Sequence, residues 1–363
     1  THTRTHTLTQ HDTHTHTHTH THTHTRRYFN TQCMLEALKC GVNYFDNAEV
    51  YADGMAEIVM GRTVNEWFKK GICERSDLVI ATKIYWDNTE NVRDGGIKGN
   101  PNSKGLSRKH IIEGTKNSLK RLNLEYVDLI FCHREDHSTP IEETVRAMNY
   151  VIDQGWAFYW GTSEWSPQAI EAAIGCAKRL GLQPPVMEQP QYNLLHRKRF
   201  EVEYQPVFAR HGYGTTTWSP LASGILTGKY SGSKFPEGSR LAHKKNEWLK
   251  KQLVDGEDGG GNGINGIEVR DPRIALKMCD SLAPIAESLG CTQAQLAIAW
   301  CVRNENVSTV ITGASRVSQV KENMKALEIS KRLTPDVLKK IDEVLGNKPI
   351  RPKDWGRGRE RLF

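Results

Sequence analysis

From residue 42 onward, short apolar runs alternate with longer stretches of helical character. The short runs are Val42–Asp46, Leu78–Lys83, Val127–Cys132, Phe158–Ser163, Val186–Glu188, Gly214–Ser219 and Thr309–Thr312, and their length and composition predict strands. Helices are predicted over Ala56–Lys69, Arg108–Leu122, Ile141–Gln154, Pro167–Leu180, Arg199–His211 and Arg273–Leu289. Three more follow at Thr292–Arg303, Val317–Ala326 and Asp336–Leu345. Ser107, Ser166 and Thr292 each stand where a side-chain oxygen can cap the next helix. Strands and helices taking turns imply parallel strands joined by crossover helices.

Two architectures satisfy that alternation, a doubly wound sheet and a (β/α)8 barrel. A dinucleotide-binding doubly wound sheet carries G-x-G-x-x-G after an early strand, and no early strand of this chain is followed by one. Polar residues instead close nearly every strand: Asp46, Lys83, His133, Ser163, Gln189, Ser219 and Thr312. A barrel brings all such ends to one face, where barrel enzymes place their chemistry. The length of 363 residues fits one barrel of ~250 residues with insertions.

Two segments depart from this pattern. Residues 1–25 are almost a Thr-His alternation with nine histidines, too polar to build a core, and disorder is the expectation. Such an arm binds zinc, nickel or copper only adventitiously, because repetition encodes no fixed ligand geometry, so no metal site is expected. Alternating A and C nucleotides also read as Thr-His, which makes the tract a candidate translated repeat, as does the absence of an initiating Met. The second segment, residues 254–271, is rich in glycine and acids and is expected to be a long exposed loop.

A hydrophobic share of 37%, a charged share of 25% and a net charge of +7 describe a soluble chain suited to an anionic cofactor, with no call for nucleic acid. The eight cysteines include no C-x-x-C pair, so free thiols in a reducing, cytoplasmic setting are expected. No apolar run reaches the ~18 residues of a membrane span, and no signal peptide is visible.

The most informative stretch is GVNYFDNAEVYADGMAE, residues 41–57, in which Asp46 ends a strand and Tyr51 follows five positions later. The next strand ends in Lys83, and the one after it runs into His133. With GLSRKHIIEG, NSLKRLNLEYVDLI, YWGTSEWS, TWSPLASGILTGKY, QLAIAWCVRNE and LGNKP, these words make residues 31–363 resemble the aldo-keto reductases. The subgroup most resembled is that of the potassium-channel β subunits. The resemblance implies a (β/α)8 barrel, bound NADP(H), and Asp46, Tyr51, Lys83 and His133 as the catalytic set.

Carbonyl reduction by hydride builds negative charge on oxygen, and a proton must be delivered there. Tyr51 is the expected acid. Lys83 is expected to lower its pKa, Asp46 to hold Lys83, and His133 to orient the carbonyl. By resemblance, Ser163 and Gln189 bind the nicotinamide carboxamide, and Trp218, Ser219, Leu221 and Ser223 lie along the pyrophosphate loop. Lys229, Arg240, Ser315 and Gln319, with the turn at Gly313, hold the 2′-phosphate, while Glu322 and Asn323 bind adenine. Trp86 and Trp165 suggest an aromatic-lined pocket for a small carbonyl substrate.

The resemblance also brings in the cytoplasmic domain of a potassium channel and a homotetramer as candidate partners. His133 and Glu164 favour an enzyme, because animal channel subunits commonly carry asparagine and arginine there. A NADP-binding redox sensor with little turnover is the alternative. One element of the family is not recognisable: the Thr-His tract stands where the first strand, with its Gly-Thr-Trp-type cofactor contact, belongs. With that strand missing or replaced, seven strands would leave two open edges, and the chain is expected to aggregate.

Overall fold

A computed structural model describes residues 7–9, 31–86, 101–255 and 272–351. Eight strands form a closed barrel in sequential order: β1 (Thr7–Thr9), β2 (Tyr44–Asp46), β3 (Val79–Ile84), β4 (Val127–Cys132), β5 (Ala157–Thr162), β6 (Met187–Glu188), β7 (Gly214–Thr217) and β8 (Thr309–Thr312). The pairings with recorded register are parallel, with Lys83 beside Phe131 and Thr162 beside Glu188. The chain divides into two compact units, residues 1–190, 214–216 and 311–321 in the first, and 191–213, 217–310 and 322–363 in the second.

The first strand is replaced. Thr7, Leu8 and Thr9 pair with Tyr44, Phe45 and Asp46 of β2, and Thr7 and Leu8 pair with Ile311 and Thr312 of β8. This corrects the expectation of disorder at these three residues. A ladder asks only for backbone donors and acceptors, so an extended Thr-Leu-Thr serves where the strand with a Gly-Thr-Trp-type contact was expected. The remainder of the Thr-His tract lies outside the described residues.

The first unit holds an inner cluster of Tyr44, Ala81, Phe131 and Met187, with Val79 and Leu129 packed against it. Gly161 in β5 makes room for that cluster, since a Cβ there would stand 2.6 Å from Met187 Cγ and 2.7 Å from its carbonyl oxygen. Outside the barrel, the helices Met55–Lys69 and Arg108–Leu122 touch backbone to backbone at Gly61, whose Cβ would fall 2.1 Å from Leu122 O. The three foreseen caps are present: Ser107 accepts from His110 N, Ser166 from Ala169 N and Thr292 from Gln295 N.

Several helices differ in extent from the sequence reading. Arg199–His211 divides into a π-helical turn, Arg199–Glu203, and an α-helix, Gln205–His211. Arg273–Leu289 divides into Pro272–Asp280 and Ala283–Ser288. In both, a proline in the first turn of the second piece (Pro206, Pro284) lacks the N–H that a continuous helix needs. A helix at Glu247–Asp255 takes in Val254 and Asp255, which were expected to open the glycine-rich loop; residues 256–271 lie outside the described residues.

Candidate active site

The first unit places the four expected catalytic side chains around the ends of β2, β3 and β4. Asp46 and Lys83 are fully buried, and Lys83 Nζ donates to Asp46 Oδ2 and, at 2.6 Å, to Asn47 O. Asp46 Oδ1 accepts from Gln189 Nε2 at 3.0 Å and from the Tyr44 hydroxyl at 3.3 Å. Gln189 also donates to Thr216 Oγ1 at 3.2 Å. Tyr44 and Asp46 stand two residues apart on one strand and therefore face the same side. Each charge in this pair is matched by its partner and by further hydrogen bonds, the condition for tolerating buried ions.

Tyr51 sits on the loop after β2, with Lys83 Nζ 4.9 Å from its ring centroid and His133 edge-on at 5.8 Å. The backbone of this loop is strained, since Ala52 and Asp53 both have positive φ, at 54° and 49°. Burial raises the Tyr51 pKa above the ordinary phenol value, the Asp46 carboxylate adds to the rise, and Arg134 opposes it. The expected lowering by Lys83 is thereby corrected: the ammonium is committed to Asp46 and Asn47, and burial prevails. Burial also lowers the Lys83 pKa, against the pull of Asp46. Tyr51 is consequently held as a protonated phenol.

Ser163 and Gln189 adjoin this group. Ser163 Oγ donates to Gln189 O at 2.9 Å, and Gln189 is committed to Asp46 as described. Next to them, Glu188 is fully buried, receives the Thr162 hydroxyl and accepts from Trp165 N at 3.3 Å. Burial pushes its carboxyl up to about 8. Glu164, between Ser163 and Trp165, has φ 60°, a second strained position on this face. Trp165 is only 1% exposed and presents no open face, contrary to its expected pocket role, whereas Trp86 is partly exposed and packs on Tyr85 at 4.7 Å.

Gly313, Ser315 and Gln319 also belong to the first unit. Gln319 Oε1 accepts from Ser315 N at 2.9 Å and Arg316 N at 3.2 Å, which ties the turn to the start of the helix Val317–Met324.

The second unit carries the other expected cofactor residues. Ser219, Ala222, Ser223 and Gly224 all have positive φ, which curls residues 219–224 into a tight loop. Successive amides in such turns form anion-binding concavities. Asn193 Nδ2 braces the loop at Ser219 O, 3.0 Å away, and Tyr192 N donates to Trp218 O at 3.2 Å. Leu221 is half-buried and Ser223 buried. Lys229 and Arg240 are exposed, with Lys229 Nζ 5.0 Å from the Tyr230 ring centroid. Glu322 accepts from Thr292 Oγ1 at 3.0 Å, and Asn323 is buried.

The sequence reading missed Tyr44, the Asn47 carbonyl and Arg134. Tyr44 was open to discovery, because period-two spacing places it on the face of Asp46. The other two depend on backbone direction at strand ends, which no motif reports.

A model of the aldo/keto reductase family matches residues 15–346. The chain belongs to the aldo/keto reductase family, whose members are oxidoreductases that generally bind NAD(P)H. It is 54% identical over 318 residues to an Arabidopsis thaliana protein named "Probable voltage-gated potassium channel subunit beta", covering 87% of each chain. A rice (Oryza sativa subsp. japonica) protein of the same name is 48% identical over 328 residues, covering 89% of this chain and 90% of the relative. Among the described residues, no helix is long and apolar enough to cross a membrane.

Proposed function

We propose that the protein reduces small aldehydes and ketones to alcohols with NADPH, as a cytoplasmic enzyme. The observation that carries this reading is the buried Lys83–Asp46 pair beneath the ring of a protonated Tyr51, with His133 at its edge. A bound nicotinamide dinucleotide would supply the hydride. Tyr51 then delivers its phenolic proton to the carbonyl oxygen as charge grows there. Lys83 stabilises the phenolate left behind, and Asp46, fixed by Gln189 and Tyr44, holds Lys83 in place. His133 orients the carbonyl oxygen from the opposite edge.

The residues present fit such a cofactor. Ser163 and Gln189 offer the amide and hydroxyl that a carboxamide requires. The left-handed residues Ser219, Ala222, Ser223 and Gly224 suit a pyrophosphate, and exposed Lys229 and Arg240 suit a 2′-phosphate. Ser315 and Gln319 in the first unit, and Glu322 and Asn323 in the second, each carry groups suited to the adenosine end.

A second reading draws on the names of the plant relatives: a channel-associated subunit, tetrameric, that binds NADP and turns over slowly. The test is NADPH oxidation by the purified full chain with a panel of small aldehydes. Aldehyde-dependent oxidation that the Tyr51→Phe variant loses supports the enzyme. Tight NADPH binding with no aldehyde-dependent oxidation supports the subunit.

A further inference from the structure

Arg134 has no assigned role, yet it follows His133 directly and extends from the end of β4. Its Nη1 donates to His133 O at 2.5 Å and lies 3.5 Å from Ser163 Oγ, placing the guanidinium between the ends of β4 and β5. The side chain is half-buried. Both neighbouring carboxylates are engaged elsewhere. Glu135 receives Ser166 N and Oγ at 3.3 and 3.1 Å, and Asp136 receives Leu106 N and Thr139 Oγ1, both at 2.7 Å. Among the described residues, no carboxylate stands within ion-pair distance of Arg134.

A half-buried guanidinium with spare N–H groups and, among the described residues, no counter-ion is a ready site for an anion. Its charge is felt across the site. Burial and Asp46 raise the Tyr51 pKa while Arg134 lowers it, and at Tyr85 burial and Asp136 raise the pKa while Arg134 again lowers it. Lys83 is engaged by Asp46 and the Asn47 carbonyl, whereas the recorded bonds of Arg134 run only to neutral oxygens, those of His133 and Ser163.

We propose that Arg134 is a specificity-determining residue that binds a carboxylate on the carbonyl substrate, making aldehyde acids the preferred substrate class. This rests on the reductase reading above for turnover, though not for binding. The planar guanidinium suits a two-point grip on a carboxylate, which a lysine would not reproduce. The half-exposed Trp86 and Tyr85 suit the flat body of an aromatic substrate.

The test compares 4-carboxybenzaldehyde with methyl 4-formylbenzoate, which share the reacting group and differ in charge. The full chain should favour the acid over the ester in kcat/KM, and Arg134→Met should lower that preference about 30-fold. Arg134→Lys should keep only part of it, and circular dichroism should show both variants folded. Equal use of acid and ester by the parent protein, or a preference that survives Arg134→Met, overturns the proposal while the reductase reading stands. If neither aldehyde is reduced, the reductase reading fails, and binding of 4-(hydroxymethyl)benzoate in the presence of NADP+ decides. Binding that weakens at least tenfold in Arg134→Met upholds the anion site, and binding that is absent or unchanged overturns it.

Discussion

Gln189 donates its side-chain amide to Asp46 Oδ1 at 3.0 Å, joining the end of β6 to the end of β2 across the inside of the barrel. Asp46 is thereby held from two sides, by Lys83 and by Gln189. The position of the Lys83 ammonium under Tyr51 depends on that hold.

Asp46→Asn should destabilise the fold by about 3–5 kcal/mol, because a buried ammonium loses its counter-ion. The double variant Asp46→Asn with Lys83→Met should recover part of the loss. Denaturant titration of both variants checks this, and a double variant no more stable than Asp46→Asn would contradict it.

Tyr51→Phe should lower aldehyde reduction by ~10²-fold or more while NADPH affinity stays close to that of the parent protein. The phenol acts on the carbonyl oxygen and not on the cofactor phosphates. A variant keeping more than a tenth of the rate would remove Tyr51 from the role of acid.

Lys229→Met and Arg240→Leu should each weaken NADPH binding far more than NADH binding, since only NADPH carries the additional phosphate. Fluorescence titration with the two cofactors separates the cases. Equal losses would place these side chains away from the 2′-phosphate.

Glu188 makes stability depend on pH with a definite sign. Burial raises its carboxyl from 4.5 to about 8, so the folded chain holds a proton that the unfolded chain releases in that window. The contribution is complete below pH 4.5 and is lost progressively as pH rises toward 8. Glu188→Gln should flatten this decline, as seen in denaturation midpoints at mildly acidic and mildly alkaline pH. A slope unchanged in the variant would show that Glu188 does not titrate there.

Leu8→Pro should lower the thermal midpoint by several degrees. Proline has no N–H to give, and Leu8 lies in a strand with neighbours on both sides. Thr-to-Ala changes in the undescribed part of the tract serve as the comparison, and an equal effect there would deny β1 its structural role.

Strand ends were the most readable feature of the sequence. Asp46, Lys83, His133, Ser163 and Gln189 announce themselves because polar residues closing apolar runs have no packing reason to be there. Helix starts were legible too, through the side-chain oxygens of Ser107, Ser166 and Thr292. What could not be read depended on three dimensions. The breaks at Pro206 and Pro284 compete with a continuous apolar pattern, and the strand at Thr7–Thr9 exists only because β2 and β8 leave a slot for it. The Tyr51 pKa likewise follows from burial around the loop after β2, whereas residue types alone suggested the opposite direction.

Six non-glycine residues with left-handed backbone stand after strand ends: Ala52 and Asp53 after β2, Glu164 after β5, and Ser219, Ala222 and Ser223 after β7. Each costs roughly 1 kcal/mol or more of folding free energy, against a net stability of ~5–15 kcal/mol. Heat selection applied without an activity screen would therefore find easy gains at these positions, by substituting glycine or asparagine. Such a lineage would grow hardier as its loops lost their fixed shape. Directed evolution of this protein accordingly needs turnover measured in every round, because its most accessible stabilising changes lie beside its chemistry.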